Sequence, residues 1–127
     1  LAFFNEAKAK WLSIEFPIAT VSRCLSPADI AALVANYKFP IPITCGVAGE
    51  IHTCGFISSV RNDRSTIIAT GHIAPGWEHR RPDRQYVSSE YVPHHMKLIE
   101  TRLLGRRPVP ATTDPAPDAI VEQHGCA

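Results

Sequence analysis

Apolar residues alternate with other residues between positions 37 and 44, in the order Tyr-Lys-Phe-Pro-Ile-Pro-Ile-Thr. A period of two is typical of a strand with one buried face. Pro40 and Pro42 cannot donate to a strand ladder, so we expect an edge strand or an extended lead-in here. In the stretch that follows, Gly46 and Gly49 suit a turn.

Two β-rich runs come next, at residues 55–60 and 66–73, on either side of the polar segment Arg-Asn-Asp-Arg-Ser at 61–65. Asn and Asp tolerate left-handed backbone conformations and bond to their own backbone, which makes that segment a turn. The pattern predicts a β-hairpin, which Pro75 and Gly76 bring to an end.

Residues 26–35 carry the signals of a helix. Ser26 suits the N-cap, Pro27 the first helical position, and Asp29 the acidic third position. Asn36 then suits the C-terminal stop. The sequence therefore predicts one well-defined helix before the β-rich stretch.

Other segments show weaker periodicity. Apolar residues at helical spacing in residues 1–12 predict an N-terminal helix docked on the core. Residues 93–104 show similar spacing before the stop signal Gly105, which predicts a further helix. Short strands are expected at residues 14–21 and 85–92.

These elements together predict an α+β fold, with an antiparallel β-sheet packed against one main helix, an extra N-terminal helix and a Pro-rich C-terminal tail. The 127 residues suit a single domain. Within it we expect an N-terminal helix and lead-in at 1–23, a core at 24–105, and an extended tail at 106–127 that is tethered by Cys126.

Charge and hydropathy narrow the classes of partner. The net charge is +1, so no global field favours nucleic acid or a membrane. No run approaches the roughly eighteen apolar residues of a membrane-spanning helix. The chain begins at Leu1 rather than Met, which we interpret as a mature or trimmed protein. We expect a monomer without a cofactor.

Four cysteines allow three disulfide pairings. A Cys45–Cys54 bond would close a local loop, and a Cys24–Cys126 bond would tie the tail to the body, so we predict these two pairs. Disulfides favour a secreted, extracellular protein. The alternative is a cytosolic protein with reduced thiols, most of them buried as small apolar side chains.

A basic loop follows the hairpin and is the first candidate binding site. Guanidinium groups suit phosphate or carboxylate, and an aromatic neighbour adds a stacking surface. The alternative is a solvated loop whose charges only maintain solubility. The candidate residues are Trp77, His79, Arg80, Arg81 and Arg84.

A zinc site is an alternative use of two cysteines. Cys45, His52 and Cys54, with His72 on the neighbouring strand, have the thiolate and imidazole groups that zinc prefers. Their spacing is not that of a paired C-x-x-C knuckle, and a disulfide beside two unrelated histidines is the competing interpretation. The adjacent pair His94-His95 also has a surface interpretation.

Glu50 and His72 are the candidates for acid–base chemistry. RNA cleavage through the 2′-hydroxyl requires a base, an acid and cations on the phosphate. A loop carboxylate and a strand histidine without catalytic roles are the alternative. The set Ser58, Ser59, Asp63 and His72 has no nucleophile-elbow signature. Arginines that could supply the cations are Arg61, Arg64, Arg80, Arg81 and Arg84.

Three segments in order resemble small fungal guanyl-type ribonucleases and the ribonuclease-like effectors that plant-pathogenic fungi secrete. They are the helix opening Ser-Pro-Ala-Asp-Ile-Ala-Ala at 26–32, the strand Tyr-Lys-Phe-Pro-Ile at 37–41, and Ile-Ala-Thr-Gly-His-Ile at 68–73. The resemblance implies one helix on a curved antiparallel sheet with one or two disulfides. It also implies a strand carboxylate, an arginine and a strand histidine in the enzymes, and His72 matches that histidine.

The chain departs from that family where the catalytic carboxylate is expected. Lys38 stands at this position, which leaves Glu50 as a substitute from outside the motif. The resemblance covers about half of the chain. We therefore predict a secreted, effector-like virulence protein that binds a host protein or RNA without catalysis. The alternatives are a secreted ribonuclease using Glu50 and His72, and an intracellular zinc-binding interaction module.

Overall fold

The computed structural model describes residues 11–105 and the backbone of residues 120–122. These residues form seven β-strands, one α-helix and one 3₁₀ turn. In chain order the elements are β1 (Leu12–Thr20), α1 (Pro27–Ala35), β2 (Ile41–Val47), β3 (Glu50–Asp63), β4 (Thr66–Ile73), the 3₁₀ turn (Pro82–Arg84), β5 (Tyr86–Val92), β6 (Lys97–Leu103) and β7 (Ile120–Glu122).

All seven strands belong to one curled sheet with the order β1-β4-β3-β2-β6-β5-β7. Most neighbours are antiparallel, whereas β2 with β6 and β5 with β7 are parallel. The sheet curls into a half-barrel, so that β1 lies near β5, β7 and the 3₁₀ turn. The predicted α+β class with an antiparallel sheet is wrong, because the fold is mostly β and the sheet is mixed.

The predicted helix at residues 93–104 is also wrong. The chain turns at 93–96 and continues as strand β6. Tyr91 pairs with Leu98 and Glu90 with Glu100, so Ile99 is an extra, bulged residue. The bulge lets Leu98 and Thr101 both face the core although they are three residues apart. The bulge thus gives the buried residues of this strand a spacing that is typical of a helix.

The predicted N-terminal helix lies almost wholly outside the described residues. Within them, Trp11 is a bend and Leu12 begins β1. The strand predicted at 14–21 is confirmed as β1, which pairs with β4 along its length and has a bulge between Pro17 and Ala19. Of the predicted tail, only β7 lies in the described part of the chain.

Helix α1 confirms the predicted capping. The Asp29 amide donates to Ser26 Oγ at 3.1 Å, and the Ser26 amide donates to Asp29 Oδ2 at 2.9 Å. This reciprocal pair is a capping box that satisfies two otherwise unpaired amides. Asn36 is the C-cap. The helix buries Ile30 and Leu33 in the core.

The predicted β-hairpin is confirmed as β3 and β4, which are longer than expected. Their two-residue turn is Arg64-Ser65, and both residues have positive φ, 52° and 64°. The Ser65 amide donates to Asn62 Oδ1 at 2.9 Å, which stabilises the turn.

The prediction that the strand after Tyr37 is an edge strand is wrong, because β2 pairs with β3 on one side and β6 on the other. Its prolines are tolerated for a positional reason. Pro40 precedes the strand, and the β6 ladder begins only at Ile43, so Pro42 lies where β6 does not pair.

The core fills the inside of the half-barrel. Gly71 illustrates its packing, since a Cβ there would meet the Phe16 ring at 2.8 Å and Ile43 at 3.0 Å. The largest side chains that are fully buried are Phe16, Ile18, Ile30, Leu33, Ile41, Ile43, Ile57, Ile67, Ile73, Val87, Leu98 and Leu103. No helix in the described ranges has the length and apolar character needed to cross a membrane.

Candidate binding surface

The tip of the β2–β3 hairpin exposes two large apolar side chains. Its turn is Ala48-Gly49, with φ of 52° and 84°. On either side of the turn, Val47 is 41% exposed and Ile51 is 60% exposed. Val47 pairs with Glu50 and Ile51 with Gly46, so the two side chains are on opposite faces of the hairpin.

Trp77 lies beside this tip. Its loop is fixed by successive turns, in which the Trp77 amide donates to the Ala74 carbonyl at 3.0 Å and the Arg80 amide to the Trp77 carbonyl at 2.9 Å. The indole packs partly against the core. Its outer part is therefore presented to solvent from a fixed position.

Two imidazoles flank the indole. The ring centroids of Trp77 and His52 are 5.6 Å apart, and those of Trp77 and His79 are 6.1 Å apart with an interplanar angle of 16°. Glu50 Oε2 lies 3.7 Å from His52 Nε2, which is an ion-pair distance when the imidazole is protonated. Val47 pairs with Glu50, so its side chain is on the same face of the hairpin as Glu50 and His52. We call the side chains Val47, His52, Trp77 and His79 the hairpin-tip surface.

Arg80 was predicted to bind an anion, but its guanidinium turns inward. It donates to the Gly46 carbonyl at 3.4 Å, the Leu103 carbonyl at 3.4 Å and Gln85 Oε1 at 3.3 Å. Its buried Nε has no hydrogen-bond partner in the described part of the chain. Arg80 therefore joins β2 to the end of β6 and is not presented to a ligand.

Arg81 and Arg84 share one carboxylate. Arg81 forms a two-pronged interaction with Asp83, at 3.0 Å and 2.8 Å, and Arg84 Nε lies 3.9 Å from the same side chain. The hydrogen bonds that Arg81 donates to Asp83 raise the pKa of Arg81 above its usual value. The five predicted binding residues thus do not converge on an anion site, and only Trp77 and His79 belong to the hairpin-tip surface.

Val47, Asp83 and Gln85 are residues whose roles the sequence reasoning missed. An aspartate placed between two arginines, in Arg-Pro-Asp-Arg at 81–84, was an available signal of a local ion pair. The exposure of Val47 and Ile51 had no comparable local signal.

His72 is buried at 4% exposure and bonded on both sides. Ser58 Oγ lies 2.7 Å from Nε2, and Ser13 Oγ lies 2.9 Å from Nδ1. The Phe56 ring lies against the imidazole, with centroids 5.0 Å apart. Both nitrogens are occupied by hydroxyl groups of neighbouring strands, which is the environment of a structural histidine.

The predicted acid–base pair is not assembled. His72 pairs across the sheet with Phe56, whereas Glu50 lies six residues earlier on β3, about 20 Å along an extended strand. Ser58, a member of the predicted nucleophile set, contacts His72. Asp63 instead pairs with Arg61 at 3.3 Å.

Cys45 and Cys54 are free, buried thiols, so the predicted bond between them is not formed in this structure. Burial, and then the hydrogen bond with Cys45, raises the pKa of Cys54 to about 12. Cys24 is disulfide-bonded, and its predicted partner Cys126 lies outside the described residues.

The alternative zinc set is not assembled either. His72 is held by its serines, and no group of three or more His, Cys, Asp or Glu side chains in the described ranges is arranged to hold a metal ion. His94 and His95 are exposed in the β5–β6 turn, where Asn36 Nδ2 donates to the His95 carbonyl at 3.0 Å. This hydrogen bond involves only the backbone of His95, so it does not orient either imidazole towards a metal ion.

Comparison with protein-family models, with curated proteins and with solved structures gives no match for this chain.

Proposed function

We propose that the protein binds another protein through the hairpin-tip surface and has no catalytic activity of its own. The observation that carries this proposal is the placement of exposed Val47 on the same face of the hairpin as His52, which lies against a fixed, partly exposed Trp77. Aromatic and apolar anchors at the centre of a patch supply most of the binding energy in protein interfaces.

A protein partner fits this surface better than RNA. Nucleic-acid affinity depends on lysines and arginines that are free to neutralise phosphates. The guanidinium groups nearest the surface already have partners, Arg80 in the end of the sheet and Arg81 at Asp83. The net charge of +1 adds no general attraction for RNA.

The separation of Glu50 from His72 counts against the ribonuclease alternative. The disulfide at Cys24 supports the secreted, effector-like role predicted from the sequence, because disulfides persist in oxidising compartments. We therefore propose an extracellular binding protein whose partner presents an apolar ridge to the hairpin-tip surface.

Val21 provides a matched control for testing the surface. It is 40% exposed, close to the value for Val47, but lies near Ser65 at the opposite end of β3. A photo-cross-linking amino acid placed at position 47 should trap a partner polypeptide from the proteins the molecule meets. The same group at position 21 should not trap that polypeptide.

The trapped polypeptide is then purified and its binding to the protein is measured by calorimetry. Trp77→Ala should weaken binding by at least tenfold, since an anchor residue contributes about 2 kcal/mol or more. Val21→Ser should leave the Kd unchanged. Equal Kd values for the wild type and Trp77→Ala would overturn the proposal, as would salt-dependent binding of a single-stranded RNA oligonucleotide to the same surface.

A further inference from the structure

Two buried thiols lie directly beneath the hairpin-tip surface. Cys45 is on β2 and Cys54 is on β3, and neither is exposed to solvent. Ile43 pairs with Gly55 and Thr44 with Thr53, so Cys54 is the extra residue of a β-bulge. The bulged thiol donates to the Ile43 carbonyl at 3.5 Å and is hydrogen-bonded to the Cys45 side chain.

The backbone of both cysteines is connected to the surface. The Ala74 amide, at the start of the Trp77 loop, donates to the Cys54 carbonyl at 2.9 Å. Arg80, at the other end of that loop, donates to the carbonyl of Gly46, the residue after Cys45. Any shift of the strands at the thiols is therefore transmitted to both ends of the loop that holds the indole.

We propose that Cys45 and Cys54 form a reversible disulfide that changes the affinity of the hairpin-tip surface for its partner. The inference rests on the function proposed above and adds its regulation. The structure represents the reduced form, in which the thiols are in contact but not bonded.

A disulfide oxidant of the glutathione class supplies the chemistry. One cysteine thiolate attacks a sulfur of the oxidant and displaces a thiolate, and the second cysteine then displaces the other half. A sulfur–sulfur bond forms between Cys45 and Cys54. The two thiol protons leave on two molecules of reduced glutathione, so the two cysteines are oxidised and one disulfide is reduced.

Cys45 pairs with His52 across the ladder, and His52 lies against Trp77, so we expect the Trp77 loop to cover the pair. Because both sulfurs are buried, the oxidant reaches them only when the cover opens. A partner bound over Trp77 should slow oxidation, and by linkage oxidation should change the affinity for that partner.

The oxidation can be measured by the mass of one tryptic peptide. No Lys or Arg lies between the two cysteines, so both fall in the single peptide 39–61, whereas Cys24 falls in 24–38. The folded chain is incubated with oxidised glutathione at pH 7.5, quenched with acid, alkylated and digested. We expect the oxidised peptide 39–61 to carry no alkyl group and to be two hydrogen atoms lighter than the unalkylated dithiol. After incubation in reduced glutathione it should again take up two alkyl groups.

Variants give the test its controls. Trp77→Ala should speed this oxidation about tenfold by removing the cover, whereas Val21→Ser should not. Cys45→Ala should prevent the mass change. A pair that stays reduced in the folded chain but oxidises in urea, or that gives only glutathione adducts, would overturn the inference.

The final arm compares the Kd of the oxidised and reduced protein for the partner trapped at position 47. We expect a change of about fivefold or more, the lower end of typical coupling between sites. Equal affinities would overturn the regulation while leaving the proposed function intact. Disulfide formation in a chain that traps no partner would instead refute the proposed function and, with it, the regulation of that surface.

Discussion

His52 and His72 lie on neighbouring strands of one sheet, each against an aromatic ring, yet their environments differ. His72 has both nitrogens bonded to serines and is covered. His52 lies against Trp77 with the two rings tilted by 38°, and its Nε2 lies 3.7 Å from Oε2 of the exposed Glu50. An imidazole beside an aromatic ring is thus part of the core when its hydrogen bonds are satisfied internally, and stays exposed at the surface when they are not.

Substituting the two histidines should give the largest difference. His72→Ala leaves a cavity and two hydroxyls without their partner, so the free energy of unfolding should fall by about 2–4 kcal/mol. His52→Ala should change it by less than about 0.5 kcal/mol, as at most surface sites. Urea unfolding measures both. Similar losses for the two variants would contradict the distinction.

Arg80 and Arg81 extend the comparison to adjacent cations of the same loop. Arg80→Ala removes donors to Gly46, Gln85 and Leu103, and should cost about 1–3 kcal/mol. Arg81→Ala removes a half-exposed guanidinium from the buried Asp83 carboxylate, which Arg84 still approaches at 3.9 Å, and should cost about 1 kcal/mol. The check is the midpoint of urea unfolding, and a reversed order would show that Arg80 is a surface residue in solution.

Alkaline pH should lower the free energy of unfolding, because two buried or partly buried side chains would have to ionise. Burial raises the pKa of Tyr37 to about 12, and that of Cys54 also to about 12. Unfolded chains lose these protons at lower pH, so the stability is complete below about pH 9 and declines as pH rises towards 12.

Tyr37→Phe tests the tyrosine contribution. The tyrosine hydroxyl donates to the Ile57 carbonyl at 2.6 Å, which an ionised tyrosine cannot do. Tyr37→Phe should be less stable at pH 7 but should lose less stability between pH 9 and 11 than the wild type. His52→Ala is the control, since its profile over that range should follow the wild type. Circular dichroism in urea at each pH is the measurement.

The two hairpin turns should give the smallest effects. Arg64-Ser65 holds two non-glycine residues at positive φ, and replacing both with Asn-Gly should stabilise the fold by about 0.5–1 kcal/mol. Ala48→Asn in the other turn, which already has Gly49, should stabilise the fold by only about 0.3 kcal/mol. Thermal unfolding compares them, and a loss of stability from Asn-Gly would mean that the Arg64 or Ser65 side chain contributes to the fold.

The parts that could be predicted from the sequence are those specified by neighbouring residues. Ser26 and Asp29 determine the start of α1, and Asn62 with the residues after it determines the β3–β4 turn. The parallel pairing of β2 with β6 could not be predicted, because contacts distant in sequence leave no local period. The bulge at Ile99 gives the apolar residues of a strand the spacing of a helix, so the local pattern predicted the wrong element.

The candidate site follows the same division. Trp77 and His79 were identified from their residue types, which is a local property. The inward turn of Arg80 depends on carbonyls of β2 and β6, and the Ser13–His72 contact joins residues 59 positions apart. Neither can be inferred from the residues that surround it in sequence.

The parallel seam between β2 and β6 has a consequence for how the chain folds. Strands β1 to β4 can assemble into an antiparallel unit by themselves, and β5 with β6 into a hairpin, but Ile43 meets Thr101 only after both exist. Such long-range closure is slow, because loop entropy is lost before the contacts form. During synthesis the free edge of β2 is therefore exposed until β6 arrives, and this interval is when the chain is most open to pairing with another molecule.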